Sequence, residues 1–478
     1  MAAQSCPDVS AISQLPEAPR TALTDPNRAP AVGAVRRRGF CRRCAADRQD
    51  HADPGQAAGT RFRDVGSWTH AEWARCGPGQ VWPGLDAPWK RNRALSVGCA
   101  ERERHTLVDT LRAIVLAAVV CVNMMTIAGL AYMTPELRAS SLGPIDLAAW
   151  DLMSVFFEGK ALAAFSFMFG LSFSLIMQRA AQADLSAALL FLRRLAVLGL
   201  IGLFNAVFLF WADILMSYAA LGLILPLAAR FSARALLWLS GTLMLAGPAV
   251  LVLAGMEPPQ PVPEGHVSNL EAYASPSYLD AVTQNWHMVL NAAEGADSML
   301  VLRFFILSGL FLLGLAVGKS GGLRRLPDYR DRLLSGGGAL LVAGILLEVI
   351  PEASPSAALK YLNTPVMALG YLMLLAYALQ APAAAWVHKA LAPLGRMSLT
   401  GYLMSAVLGQ AVFYGWGLQL IGRLGTVQVA VVAVGIFAVM AGFAHLWFRH
   451  FLYGPWEWAW RSLTRMEVQP LLGARLGG

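Results

Sequence analysis

Asp109 and Arg112 stand three residues apart at the start of a long apolar run. On a helix that spacing lets the two side chains pair. The planar guanidinium can equally hold a phosphate or carboxylate through two parallel hydrogen bonds. A snorkelling anchor at the membrane surface is the other reading of the pair. Asn123 follows eleven residues after Arg112, roughly three helical turns deeper. Its amide suits a ligand or a hydrogen bond between helices.

Three more groups of polar residues interrupt apolar sequence. The first is Phe156-Phe157-Glu158-Gly159-Lys160, followed by Ser166 and Gly170. Charges two apart do not face each other on a helix, so Glu158 and Lys160 each need another partner or a water-filled cavity. The second is Asn205 with Asp213. Asp213 is a candidate substrate contact, and it is also an ideal N-cap for the helix that follows. The third is Gly395-Arg396-Met397-Ser398-Leu399-Thr400-Gly401-Tyr402, then Ser405 and Gln410. Ser398 is placed to N-cap a helix, and Thr400, Ser405 and Gln410 are placed to bond across helices. A charge inside lipid costs several kcal/mol unless it is paired or hydrated, so each of these groups is a candidate site.

The elements that must position these residues follow from composition. Of 478 residues, 56% are hydrophobic and 14% charged, with a mean hydropathy of +0.51. A soluble domain carries about 25% charged residues, so an ordinary soluble enzyme is excluded. Residues 1–104 hold 16 Lys+Arg and 11 Asp+Glu, and the charge is sparse beyond them. That stretch shows no helical or strand period and no signal-peptide core. It is expected to be a disordered or spurious extension. Cys41-x-x-Cys44 lies within it, but no second pair at metal spacing follows.

From Leu111 onward come apolar runs near the roughly 20 residues that a bilayer needs. They predict an all-α polytopic bundle of ten spans at about 111–131, 161–178, 194–211, 213–230, 235–256, 299–318, 333–351, 362–381, 398–420 and 427–447. The segment 145–157, broken by Asp146 and Asp151, reads as a surface or re-entrant helix. With the N-terminus inside, the inner loops carry 16 Lys+Arg and the outer loops five, which predicts N-in/C-in topology. Trp456, Trp458 and Trp460 read as an interfacial aromatic belt. His287, His388, His445 and His450 share no spacing, and no metalloprotease, phosphate-loop or dinucleotide motif is present. The basic balance fits membrane orientation and does not point to nucleic acid.

Six stretches in order resemble the bacterial YeiB-like membrane proteins that carry the domain of unknown function 418. They are VDTLRAIVLAAVVCVN (108–123), FFEGKALAAFSFMFGLSFSL (156–175), RRLAVLGLIGLFNAVFLFWADILMSYAALGL (193–223), LFLLGLAVGK (310–319), PLGRMSLTGYL (393–403) and FLYGPWEWAWRSL (451–463). The resemblance covers about residues 105–465, leaving 466–478 as a tail. That family is distantly similar to membrane acyltransferases, which share a D-x-x-R-G opening to the first span. One acyltransferase type places a catalytic His where this chain has Asn123. The Gly after the Arg is Ala113 here, and a His usual in the family before the Asp turn is Asn205. Asn cannot act as the base that acyl transfer needs. Glu158 is a replacement base if burial raises its pKa.

The resemblance implies a multi-pass protein of the bacterial plasma membrane. It is either acyltransferase-like, a transporter or flippase of a small metabolite or lipid, or a non-catalytic assembly protein. In the first case an acyl donor such as acyl-coenzyme A enters near Arg112, Arg194 and Arg396, and an acceptor approaches Glu158 and Asp213 from outside. The candidate substrate contacts are Asp109, Arg112, Asn123, Lys160, Ser166, Asn205, Asp213, Arg396, Thr400 and Tyr402.

Overall fold

In a computed structural model the chain divides into two compact units, Met1–Cys99 and Ala100–Gly478. The structure describes residues 88–182, 187–256, 267–294, 298–350 and 357–472. Most of the 1–104 extension, with its Cys41–Cys44 pair, lies outside the described residues.

The described residues form helices, with no strand beyond a single antiparallel bridge between Phe451 and Leu472. In chain order these are α1 (Pro88–Ile127), α2 (Pro135–Ser141), α3 (Pro144–Phe156), α4 (Lys160–Gln182), α5 (Ala187–Phe204), α6 (Leu215–Leu221), α7 (Ile224–Ala228), α8 (Ala233–Leu253) and α9 (Val267–Ala274). Then follow α10 (Tyr278–Glu294), α11 (Ser298–Lys319), α12 (Arg330–Glu348), α13 (Asn363–Ala378), α14 (Ala385–Arg396), α15 (Ser398–Phe413), α16 (Thr426–Trp447) and α17 (Pro455–Arg465). A π-turn, Asn205–Leu209, continues α5.

Seven of the described segments are helical, long enough and apolar enough to cross a membrane. They include α1, α4, α5, α8, α11, α13 and α16, so they match seven of the ten expected spans. Segments 213–230 and 398–420 form shorter apolar helices, Leu215–Ala228 and Ser398–Phe413. The first of these is interrupted between α6 and α7. The 333–351 segment is helical as α12, but it begins on Arg330, Asp331 and Arg332. Side chains such as Trp238 and Leu253 are 80% and 86% exposed. Apolar surface on that scale is the lipid-facing side of a multi-pass membrane protein.

Lipid is as apolar as leucine, so apolar burial alone does not hold such helices together. Close backbone approach and bonds between helices do. Helices α4 and α11 show this. A Cβ at Gly170 would meet the Phe311 carbonyl oxygen at 2.0 Å, and one at Gly314 would meet that of Phe167 at 2.1 Å. α1 lies inside the bundle, with Leu111, Val115, Leu116, Val119, Val120 and Met124 buried at helical spacing. α15 runs along it, Gly401 against Leu116 and Gly409 against Met124. α12 packs on α13, and α16 on α14 and α15. On α3, Asp146 accepts the Val427 N–H at 2.9 Å and so caps the start of α16. The expected surface helix thus has a partner at its polar end.

Candidate functional site

A cavity of about 670 Å³ opens among one end of α1, α4, α5, α14, α15 and α17. Its lining includes Arg112, Arg194, Arg396, Arg461 and Arg465, against two carboxylates, Asp109 and Glu457. Three hundred and fifty-seven residues of sequence separate its first and last wall residues, Val108 and Arg465.

Both carboxylates are already engaged. Asp109 accepts from Arg112 at 2.8 Å, and the same guanidinium donates to Ser172 on α4 at 2.6 Å. The spacing expected to pair does pair, and α4 shares the arginine. Glu457 is buried and lies across the start of α15. It accepts the Leu399 N–H at 2.8 Å, the Thr400 N–H at 3.1 Å and the Thr400 hydroxyl at 2.5 Å. Burial pushes its carboxyl up from the usual range, more than these bonds pull it down. The expected Ser398 cap is therefore replaced by a carboxylate 59 residues away. The reason is that the first N–H groups of a helix need acceptors, and a buried carboxylate needs donors.

Three guanidiniums rest on aromatic rings of the cavity wall. Arg194 lies 4.0 Å from the Trp460 ring centre, Arg396 is 4.1 Å from Phe448, and Arg461 is 4.5 Å from Tyr453. Stacking holds a guanidinium by its faces and leaves its in-plane N–H fork pointing outward. Trp460 also donates its Nε1–H to the Arg194 carbonyl at 2.8 Å. The tryptophan-rich tail, expected only as an interfacial belt, is α17, and it builds a wall of the cavity.

At the opposite, closed end lie Ile214, Leu215, Tyr218 and Tyr402. Behind them Asn205 donates to Asp213 at 2.8 Å, and Asp213 accepts the Met216 N–H at 2.7 Å. The capping role of Asp213 is therefore realised. The Tyr402 hydroxyl accepts the Ile214 N–H at 3.4 Å. The π-turn at Asn205 ends α5, and extended backbone at Phe210 leads the chain on to Asp213.

The remaining candidates lie apart from the cavity lining. Lys160 reaches Glu348 at 3.8 Å, and Lys360 reaches the same carboxylate at 3.8 Å. Glu158 is exposed beside a pocket of only about 40 Å³ with Trp150 and Met153. It does not line the large cavity. Asn123 is half-buried on α1 and does not line the cavity. Ser166 bonds the Tyr218 hydroxyl at 3.0 Å, supporting the cavity from behind. Gln410 bonds across to the Leu209 carbonyl as expected, whereas Ser405 bonds back to Tyr402 within its own helix. Among the described residues no cluster of metal-ligating side chains occurs. Sequence reading missed Ser172, Glu457 and Trp460. Ser172 lies in the 156–175 stretch and the other two in 451–463, and nothing in either indicated what they touch.

Residues 324–467 match the family described as protein of unknown function DUF418. YxaH of Bacillus subtilis is 30% identical over 392 residues, covering 77% of this chain and 96% of that protein. The chain belongs to the YeiB-like DUF418 family. YeiB of Escherichia coli is 25% identical over 401 residues, 77% of this chain and 98% of YeiB. A 39.9 kDa protein from the amylase 3′ region of Bacillus acidopullulyticus is 24% identical over 394 residues, 96% of its length. The DUF418 match takes in α14 to α17, the elements that bring Arg396, Glu457, Arg461 and Arg465 to the cavity.

Proposed function

We propose that this chain is an acyltransferase-like protein of the bacterial plasma membrane whose arginine-lined cavity takes a phosphate-bearing acyl donor, such as an acyl-coenzyme A, from the cytoplasmic side. The observation that carries the reading is five arginines lining one cavity against two carboxylates that are already bonded. Like charges gathered in one cavity repel unless an anion joins them, and stacked guanidiniums present the fork that phosphate oxygens match. The loop charges support the orientation: Arg112 and Arg194 lie in the first third of their spans, and Arg396, Arg461 and Arg465 outside any span, on the side that the N-in/C-in arrangement puts inside.

In such a transfer the acceptor's oxygen or nitrogen bonds the thioester carbonyl carbon, and the carbon–sulfur bond breaks. The sulfur leaves with the electron pair and takes up the proton that the acceptor gives up. Asp213 stands behind the cavity wall, held by Asn205, and is given no part in moving that proton. The exposed Glu158 lies outside the cavity and does not serve. Arg112, Arg194, Arg396, Arg461 and Arg465 hold the donor.

The test is thermal stabilisation of the purified full chain by coenzyme A and its acyl derivatives, beside Arg194→Ala. Loss of one charge-assisted contact is expected to weaken binding about 10- to 100-fold. Arg194→Lys keeps the charge but loses the fork, and should fall between the two. Absence of any stabilisation at millimolar donor would end the reading. A transport reading draws on the π-turn at Asn205 and the break between α6 and α7, because transporters bind substrate at broken helices. Solute uptake by membrane vesicles, with and without Asp213→Asn, measures it.

A further inference from the structure

The cavity is not polar throughout. One stripe of α4 lines it, running Phe165, Met168, Phe169, Ser172 and Ile176 at helical spacing. Ser172 holds Arg112 and so marks the arginine level. Phe165 lies seven residues further from the mouth, roughly 10 Å at 1.5 Å per residue. Over that depth the other walls are Leu198, Ile214, Leu215 and the ring of Tyr218.

The polar atoms of this inner part are turned away or occupied. The Tyr218 hydroxyl bonds the Leu162 carbonyl at 2.9 Å and Ser166 at 3.0 Å, so it points into the helix behind it. The Tyr402 hydroxyl meets the Ile214 N–H. The aromatic floor is braced: Phe169 stacks on Phe311 at 4.9 Å between ring centres and tilts against Tyr218 at 5.4 Å. A fixed well with apolar walls offers a nucleotide or sugar no hydrogen bonds. It suits an apolar chain, the kind of guest that dry apolar cavities accept.

We infer that the site takes an amphiphile, with its anionic head among the arginines and an apolar chain of medium length in the well between α4, α5 and α6. For an acyl donor this makes the transferred group a medium-length acyl chain in preference to acetyl. The inference rests on the arginines being an anion site. The shared chemistry is a phosphate joined to an alkyl chain, and it has two sources, an acyl thioester of coenzyme A or a membrane-borne phospholipid.

The experiment is a binding series on the full chain in nanodiscs, where no detergent competes for the well. The probes are coenzyme A, its acetyl, butyryl, octanoyl and palmitoyl thioesters, and octyl phosphate. Each methylene buried should raise affinity about fourfold, levelling off once the well is full. Phe165→Trp, at the inner end of the stripe and only half-buried, narrows the well and should level the series off at a shorter chain. Equal binding of all the thioesters overturns the chain inference and leaves the donor reading standing. Octyl phosphate binding with no response to any thioester keeps the amphiphile and overturns coenzyme A as its source. No binding by any probe, together with no phospholipid co-purifying with the chain out of detergent, overturns both.

Discussion

Glu457→Ala should destabilise the protein by about 3 kcal/mol, one of the two largest effects expected of a single substitution. The carboxylate satisfies two N–H groups at the start of α15 and the Thr400 hydroxyl, all buried with it. Each buried donor left without an acceptor costs about 1–3 kcal/mol, and losing a helix cap alone costs about 0.5–2 kcal/mol. Removing a buried charge regains part of the desolvation cost, which keeps the total below the simple sum. The effect should spread, because α17 also carries Trp460, Arg461 and Arg465 into the cavity. Thermal unfolding of the purified variant measures the first consequence and ligand stabilisation the second. An unchanged midpoint would show that α15 does not depend on this cap.

The same residue sets a pH dependence. Burial raises the folded carboxyl above its unfolded value, so the native state binds the proton more tightly than the unfolded chain does. Stability from this group is then fully present below the unfolded pKa and lost as pH rises through the folded one. Glu457→Gln keeps the shape and removes the titration. Its stability should vary less with pH over that window than the parent's. An identical slope in both would mean that burial does not dominate at this carboxyl.

Gly395→Ala should cost roughly 3 kcal/mol, at the upper end of what overpacking brings. A Cβ there would lie 1.7 Å from the Asp109 carbonyl oxygen. That neighbour is backbone and cannot swing aside as a side-chain end can, so α1 and α14 must part. Parting moves Asp109, and with it the Arg112 guanidinium that Asp109 holds at 2.8 Å. Anion binding should weaken together with stability. Gly338→Ala is the contrasting case, since a Cβ there meets nothing within 4 Å. It should be neutral, or stabilising by up to about 1 kcal/mol through helix propensity. Equal melting temperatures for the two variants would contradict the close approach of α1 and α14.

Much of this molecule is local and therefore legible in its sequence. The apolar runs of about 20 residues indicate helices, because a chain in lipid must satisfy its own backbone. The Asp109–Arg112 pair follows from helical spacing alone, and the capping role of Asp213 from its place before α6. Family membership could be read from short motifs in a fixed order. What the sequence did not disclose is which polar residues share a space. Glu158 and Lys160 are neighbours in the chain, yet Lys160 turns to Glu348 while Glu158 faces outward. Arg194 and Trp460 are 266 residues apart and in contact. Ser398 looked like the cap of α15, and Glu457 took that place. Hydrophobic period identifies a helix and its apolar residues, but in lipid every face is apolar, so the period does not say which face meets which helix. Close approaches at glycine and a few bonds between helices make that choice, and only the tertiary structure brings the five arginines around one cavity.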